Sequence, residues 1–383
     1  GPFINHIADI QKQIFSWYGS GLSFETRAKK FQEWIEIIGK YKVLCIDGSA
    51  FDSTQHKEIM EITDQYLFNK IFDNHKSDIS QYCNLNHFYA AINNHHKIVR
   101  AKTKELRVNF HIEGTVGSGQ MNTSRGNTTR AALYAMYAAD CAGLIHEKDY
   151  FLEACGDDTI IIMKDNKVEL FKASMYDEVY VNDLEYKGSH GLGQVARMID
   201  VYSDISHAEY ISAHFIYNDD NSIRMVRKLN RLMQLLPWTL NSKYQDITKK
   251  NKELREFVKC DITEMSFWMS NIKLYNELYN TYSKYLLGEE VYLETKREKY
   301  SSQKDTRNIG CNEGFLDYLY HHYSISESEL IEFISKLTNA KQFDVIRTSF
   351  IDKIQGKRDH YKYIKKVEKK NYISIINNRK IIE

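Results

Sequence analysis

Proline is almost missing from this sequence: 383 residues contain only Pro2 and Pro237, so no proline-rich spacer separates domains. Cysteine is sparse as well. Cys45, Cys83, Cys141, Cys155, Cys260 and Cys311 are scattered without one Cys-x-x-Cys pair, which excludes the usual structural zinc spacings and fits reduced thiols better than a disulfide framework. Charge of one sign is lacking too. With 52 Lys and Arg against 51 Asp and Glu the net charge is +1, so no global basic field announces nucleic acid and a polyanion site must come from local clustering. The longest apolar stretch, Leu133 to Ile145, is interrupted by Asp140 and is too short to cross a bilayer. The first residues lack the charged-then-apolar order of a signal peptide, and no internal repeat is visible. What is plentiful is core material: 43% hydrophobic and 13% aromatic residues, including 27 Tyr and 18 Phe, place the chain far from disordered compositions.

Apolar residues recur at helical spacing from Phe24 to Ile38, and Gly39 supplies the stop. Lys42 to Ile46 is a short apolar run ending in Asp47, the pattern of a buried strand that delivers a carboxylate at its end. His56 to Phe72 has helical periodicity, whereas Phe88 to Phe110 mixes polar and β-branched residues and fits no single template. Gly114 to Gly119 forms a glycine-rich turn ahead of a long Ala- and aromatic-rich helix over Asn122 to Ile145. Tyr150 to Met163 predicts a hairpin with Gly156-Asp157-Asp158 at its turn, followed by a helix over Glu169 to Tyr176. A second hairpin is expected over Tyr210 to Val226, with Asn218 to Asn221 as its loop, and beyond Arg227 the pattern is mostly helical. The order predicts an α+β region followed by an α region.

Three segments carry the chemistry: Cys45-Ile-Asp47-Gly-Ser-Ala-Phe-Asp52, Gly117-Ser-Gly-Gln-Met-Asn-Thr-Ser-Arg-Gly-Asn127, and Cys155-Gly-Asp157-Asp158. Taken singly, each has a plain structural account. Asp47 suits a turn after a strand, Gly-Asp-Asp suits a polar hairpin, and the middle segment suits a glycine turn with a capped helix. Nucleotidyl transfer on two divalent ions requires carboxylates from separate strand ends to converge, and Asp47 with the pair Asp157-Asp158 could supply that convergence. Mg2+, with Mn2+ as a substitute, is the expected cofactor because such sites are all-oxygen, and Asp47, Asp157 and Asp158 are the expected catalytic and metal-binding residues.

This order and spacing resembles motifs A, B and C of viral RNA-dependent RNA polymerases. The stretches Gly21-Leu22-Ser23 with Arg27, Ser118-Gly119-Gln-Met-Asn-Thr123 with Gly126-Asn127, and Arg224-Met-Val-Arg227 are further similar to the tombusvirus-type enzymes of positive-strand RNA viruses, the resemblance covering Gly1 to about Leu236. It implies a right-hand polymerase with an antiparallel palm sheet and a mostly helical thumb. The implied division is a fingers and palm lead-in at 1–40, a palm at 41–225 with a fingers insertion at about 60–110, and a helical thumb with a basic C-terminal segment at 226–383. Implied activity is the template-directed joining of ribonucleoside triphosphates to an RNA 3′ end during viral replication, in the host cytoplasm or in a membrane-associated replication complex.

The resemblance also assigns roles. Asp52 and Asn127 would choose the ribose by bonding its 2′ hydroxyl, with Ser118 and Thr123 beside them, and Gly117 and Gly119 would flank a loop at the template. Reverse transcriptases share motifs A and C but carry a bulky aromatic near the position of Asp52 and lack this Asn. Arg197 falls where a family lysine acts as general acid, yet arginine suits charge stabilisation better than proton donation, which leaves Lys187 as the neighbouring alternative. Arg224, Arg227 and Lys228 would contact RNA or primer phosphates, against an equally open account as a solvated charged strand. Lys353 to Lys380, rich in Lys, Arg and Tyr, suits either RNA binding or a solvated thumb helix and strand. Only 46 residues precede Asp47, without the dense basic strand pair that covers the triphosphate in this family. The expectation is therefore a fragment whose fingers lie elsewhere or on a partner chain. An RNA-binding scaffold, inactive alone, and another palm-type nucleotidyltransferase such as a reverse transcriptase are the alternatives.

Overall fold

The computed structural model describes residues 2–48, 50–92, 96–102, 107–117, 122–181, 191–195, 199–231, 272–285, 312–339, 345–346, 348–355 and 381–382. The chain divides into two compact units, Gly1–Leu22 with Glu33–Ile211, and Ser23–Gln32 with Ser212–Glu383.

The first unit is built on a four-stranded sheet ordered Tyr150–Cys155, Asp158–Lys164, Tyr41–Asp47 and Asp200–Tyr202, each neighbouring pair antiparallel. Its central strands read as continuous apolar runs, Val43-Leu-Cys-Ile46 and Ile160-Ile-Ile-Met163, because both of their faces are covered. Leu44, Ile161 and Leu152 are cross-strand partners and all fully buried. Onto them packs the helix Thr123–Cys141, whose Ala131, Ala132, Ala135, Ala138 and Ala139 keep side-chain bulk low and join the same core. That helix stops four residues before the end the sequence pattern suggested. Gly143 turns left-handed at φ +66, its N–H bonds Asp140 O, and the Leu144 N–H reaches Ala139 O. This is the Schellman closure, with buried Leu144 as its apolar plug.

Two additions frame the sheet. Trp17 to Gly19 run along the outer strand, where Ala154 N–H donates to Trp17 O and Gly19 N–H to Ala154 O. Gly19 has to be glycine, since a Cβ there would lie 2.5 Å from the Glu153 carboxylate. Between the first and second strands of the sequence comes a continuous helical run at 57–73, α-helical at Lys57–Met60, π-helical at Glu61–Tyr66 and α-helical again at Leu67–Asp73. Leu85–Ile92 is a helix, and the stretch that fitted no template is an antiparallel hairpin, His96–Lys102 with Arg107–Glu113. An apolar cavity of about 750 Å³ opens beside the helix Pro2–Ile14, lined by Ile7, Ile10, Phe72 and Leu133 among others.

In the second unit the hairpin is Ala213–Tyr217 with Ile223–Arg227. It begins three residues later than the sequence pattern, because Ile211 and Ser212 take φ +47 and +59 and cannot continue a strand. Helices Lys273–Tyr285, Asn312–Tyr323, Glu327–Asn339 and Ser349–Gln355 supply a core of Tyr275, Phe315, Leu319, Phe333 and Phe350 against Ile216 and Val226. An α+β first unit and a largely helical second unit agree with the pattern of the sequence. Most of the basic stretch at 353–380 lies outside the described residues.

Candidate active site at the strand ends

Asp47 ends the first strand and Asp158 begins the strand beside it, and the register makes them direct partners. Directly opposed residues share a face with Cβ atoms about 4.5–5.5 Å apart, so two carboxylates from sequence positions 111 apart stand side by side. By alternation that face is opposite the one carrying Leu44 and Ile161. Asp157 sits next to them in a two-residue hairpin turn closed by Cys155 and Asp158. Gly156 takes φ +69 while Asp157 is not among the residues of positive φ, the glycine-first pattern of a II′ turn. Asp47 is exposed and Asp157 and Asp158 are half-buried, so solvent and solutes reach them.

Asp52 lies in the short 3-10 turn Phe51–Thr54 after the first strand, and Asn127 in the first turns of the long helix. Asn127 Nδ2 donates to Asp52 Oδ1 at 2.6 Å. The orientation of the Asn127 amide is fixed from behind, because Arg130 Nη2 donates to its Oδ1 at 2.8 Å. Arg130 in turn pairs with Asp64 Oδ2, whose other oxygen accepts from Arg125 Nη2 at 2.6 Å. All three of Asp64, Arg125 and Arg130 are at most 4% exposed. Arg125 lies over the Phe68 ring and also donates to Gln11 and Asn122. Burial pulls the Arg125 guanidinium below its ordinary pKa, and the Asp64 carboxylate opposes that pull.

Further bonds tie the elements around this pair. Thr128 Oγ1 accepts from Gly156 N–H at 2.9 Å while donating to Ser124 O, which anchors the Gly-Asp-Asp turn to the long helix. Thr123 Oγ1 donates to Gly117 O at 2.9 Å, closing the ends of the glycine loop onto each other. Val116 N–H donates to Asp52 O and Thr115 N–H to Gln55 O, so the approach to that loop is bonded to the turn holding Asp52. Behind it Gln55, Gln194 and Tyr134 form a buried ring of hydrogen bonds, and burial pushes the Tyr134 hydroxyl well above its usual range.

Ser118, Gly119, Lys187 and Arg197 lie outside the described residues. Of the second-unit cations, Arg224 is only 2% exposed. Arg227 is exposed above the Phe24 ring, and Lys228 is half-buried.

Sequence reasoning missed Asp64, Arg125, Arg130 and Thr128. One signal was available for Asp64: Met60, Phe68 and Phe72 mark an apolar stripe at spacing four, and a carboxylate on it at position 64 needs a buried cation. The basic hairpin was also missed. Its register sets Arg100 opposite Asn109 and Lys102 opposite Arg107, at positions of one face, with Val99 opposite Phe110 and Ala101 opposite Val108 on the other.

Among the described residues no three His, Cys, Asp or Glu side chains gather into a preformed metal cage. Magnesium does not require one, since it keeps several waters and is held through one or two carboxylates plus substrate phosphates. Asp47 facing Asp158, with Asp157 adjoining, offers an all-oxygen set of that kind. No curated protein matches the chain. Residues 9–184, which hold both strand-end carboxylate segments and the glycine loop with its helix, match the family described as viral RNA dependent RNA polymerase. Over that stretch the chain belongs to the viral RNA-dependent RNA polymerases, and it is an RNA-directed RNA polymerase, a nucleotidyltransferase.

Proposed function

We propose that the first unit is the palm of this polymerase and that it joins ribonucleoside triphosphates to an RNA 3′ end by two-metal catalysis during viral replication. The observation that carries this reading is the pairing of Asp47 with Asp158 at adjacent strand ends, with Asp157 in the connecting turn. Asp47, Asp157 and Asp158 would hold Mg2+ or Mn2+, which when bound activates the 3′ hydroxyl and stabilises the departing diphosphate. The kinship is with tombusvirus-type enzymes, on the Ser118 to Asn127 string.

The chain's own residues choose and orient the sugar. A ribose 2′ hydroxyl both donates and accepts; the Asp52 carboxylate accepts and the Asn127 amide donates, and the two already lie 2.6 Å apart. Ser118 and Thr123 join them in selecting the ribose, and Gly117 and Gly119 flank the loop beside the template. RNA phosphates meet Arg100, Lys102 and Arg107 of the 96–113 hairpin in the first unit and, as a separate contact in the second unit, Arg224, Arg227 and Lys228. Arg197 or Lys187 stabilises or protonates the departing diphosphate.

Single-nucleotide extension on primed RNA tests the reading, with any partner chain that synthesis needs supplied. Extension should require Mg2+, favour ribonucleotides and disappear in Asp157→Ala. Asn127→Ala should lower discrimination against deoxyribonucleotides by about tenfold, the loss of one bond made to the 2′ hydroxyl in a desolvated site. Extension that persists in Asp157→Ala would overturn the assignment of the metal site.

A further inference from the structure

We infer that Arg130, held by Asp64, is a positioning residue for sugar choice: its guanidinium sets which end of the Asn127 amide faces the ribose. The inference rests on the proposed role of Asn127 and extends it to residues that never touch the nucleotide. An asparagine amide carries a donor and an acceptor of nearly equal shape, and rotating it by half a turn exchanges them. With Nδ2 toward Asp52, Asn127 offers its N–H groups on the Asp52 side; reversed, it would set an oxygen against the Asp52 carboxylate and offer the 2′ oxygen an acceptor. Arg130 blocks the reversal. It carries only donors, and its Nη2 is 2.8 Å from Asn127 Oδ1, so the flipped amide would face N–H to N–H.

Arg130 can do this only if it is fixed. Its own position on the 123–141 helix is three residues after Asn127, one turn along the same face. Asp64 accepts from Arg130 Nη1 with one oxygen and from Arg125 with the other, so the carboxylate cannot swing to follow either one alone. Asp64 sits on the π-helical turn Glu61–Tyr66, a local widening of the helix of the sort found at functional sites. An independent sign comes from Gly126. A Cβ at that position would lie 2.9 Å from Arg130 Nη2 and 3.0 Å from Nη1, so the residue before Asn127 is small where the guanidinium passes. At 1% exposure Arg130 has nowhere to retreat.

The test is a mutant cycle on the polymerase bound to primed RNA with Mg2+. It measures the ratio of ribonucleoside to 2′-deoxyribonucleoside triphosphate, both for binding and for kcat/KM, using 3′-deoxynucleotides as a control. Asn127→Ala, Arg130→Met and the double variant are compared after each is shown to melt like the parent. Arg130→Met should lower the ribose preference by about fivefold or more, the worth of one hydrogen bond turned from donor to acceptor. The double variant should be no worse than Asn127→Ala alone, because Arg130 acts through Asn127. Use of the 3′-deoxynucleotide should change little, which a general loosening of the fold would not spare. Gly126→Ala, which crowds the guanidinium without removing it, should shift the ratio in the same direction if Arg130→Met fails to fold. In the unsubstituted chain, the Asn127 side-chain N–H signals should be distinct and slow to exchange. Parent-like discrimination in Arg130→Met or Gly126→Ala, beside a loss in Asn127→Ala, overturns the inference and leaves the reading of Asn127 intact. Unchanged discrimination in Asn127→Ala overturns that reading itself.

Discussion

Thr128 is the smallest handle on the Gly-Asp-Asp turn. Its hydroxyl sits on the long helix, fully buried, donates to Ser124 O at 2.8 Å and accepts from Gly156 N–H at 2.9 Å. Thr128→Val keeps the shape and removes both bonds. The Ser124 carbonyl remains in a helix and has a second way to be satisfied, so its loss is small. The Gly156 N–H is the costly partner. Leaving a buried donor unmade costs about 1–3 kcal/mol, and because Gly156 is half-buried and water can reach it, about 1–2 kcal/mol is expected. In a unit of this size each kcal/mol lowers the melting temperature by about 2–4 °C. The kinetic effect should be larger than the thermal one, since Gly156 directly precedes Asp157 and small displacements of a reacting group cost about a hundredfold per ångström. Thr128→Val should therefore lower kcat by about tenfold or more while KM for the nucleotide stays near its parent value. Thr128→Ser, which retains the acceptor, should keep most of the activity and lose only the packing of one methyl group. Scanning calorimetry and steady-state extension measure both quantities. A Thr128→Val protein with parent melting and parent kcat would show that the helix does not hold the turn.

Two further outcomes follow from charge. Replacing Arg100, Lys102 and Arg107 with alanine should weaken RNA binding at all sequences and reduce the slope of log affinity against log salt by about two, as three phosphate contacts to a single strand are lost; Lys97, on the other face of the hairpin, serves as control, and an unchanged slope would remove this face from RNA binding. In the second unit, burial, with lesser contributions from His322 and Lys228, lowers the His214 pKa to about 3, and its Nδ1 lies 3.1 Å from His322 Nε2. A folded pKa below the unfolded value near 6.5 means that the unfolded chain binds the proton first, so stability is full above pH 6.5 and falls as pH drops toward 3. Between pH 6.5 and 5 this group alone removes about 2 kcal/mol, and denaturant titrations of His214→Phe should lack that share of the acid-side loss.

The sequence by itself determined which chemistry is present and much of where it sits. The helix over Phe24 to Ile38 was legible to the residue, because its apolar spacing and Gly39 are local facts. So were a strand ending in Asp47 and a hairpin with two aspartates at its turn, since alternation, chain reversal and glycine placement act within a few residues. Tertiary structure decided what depends on partners far along the chain. That Asp47 stands opposite Asp158, and not one residue displaced, is a matter of register, which the buried rows of Leu44 with Ile161 and Val43 with Ile162 fix. In the hairpin at 96–113 the strand Arg107–Glu113 alternates strictly and was open to reading, whereas in its partner His96–Lys102 the alternation is broken by Lys97 and Ile98, and pairing with the regular strand is what makes the pattern plain. Asp64, Arg125 and Arg130 read locally as ordinary helical charges on two different helices. Only packing those helices together, with water excluded, turns the three into one ionic network that ends at the amide of Asn127.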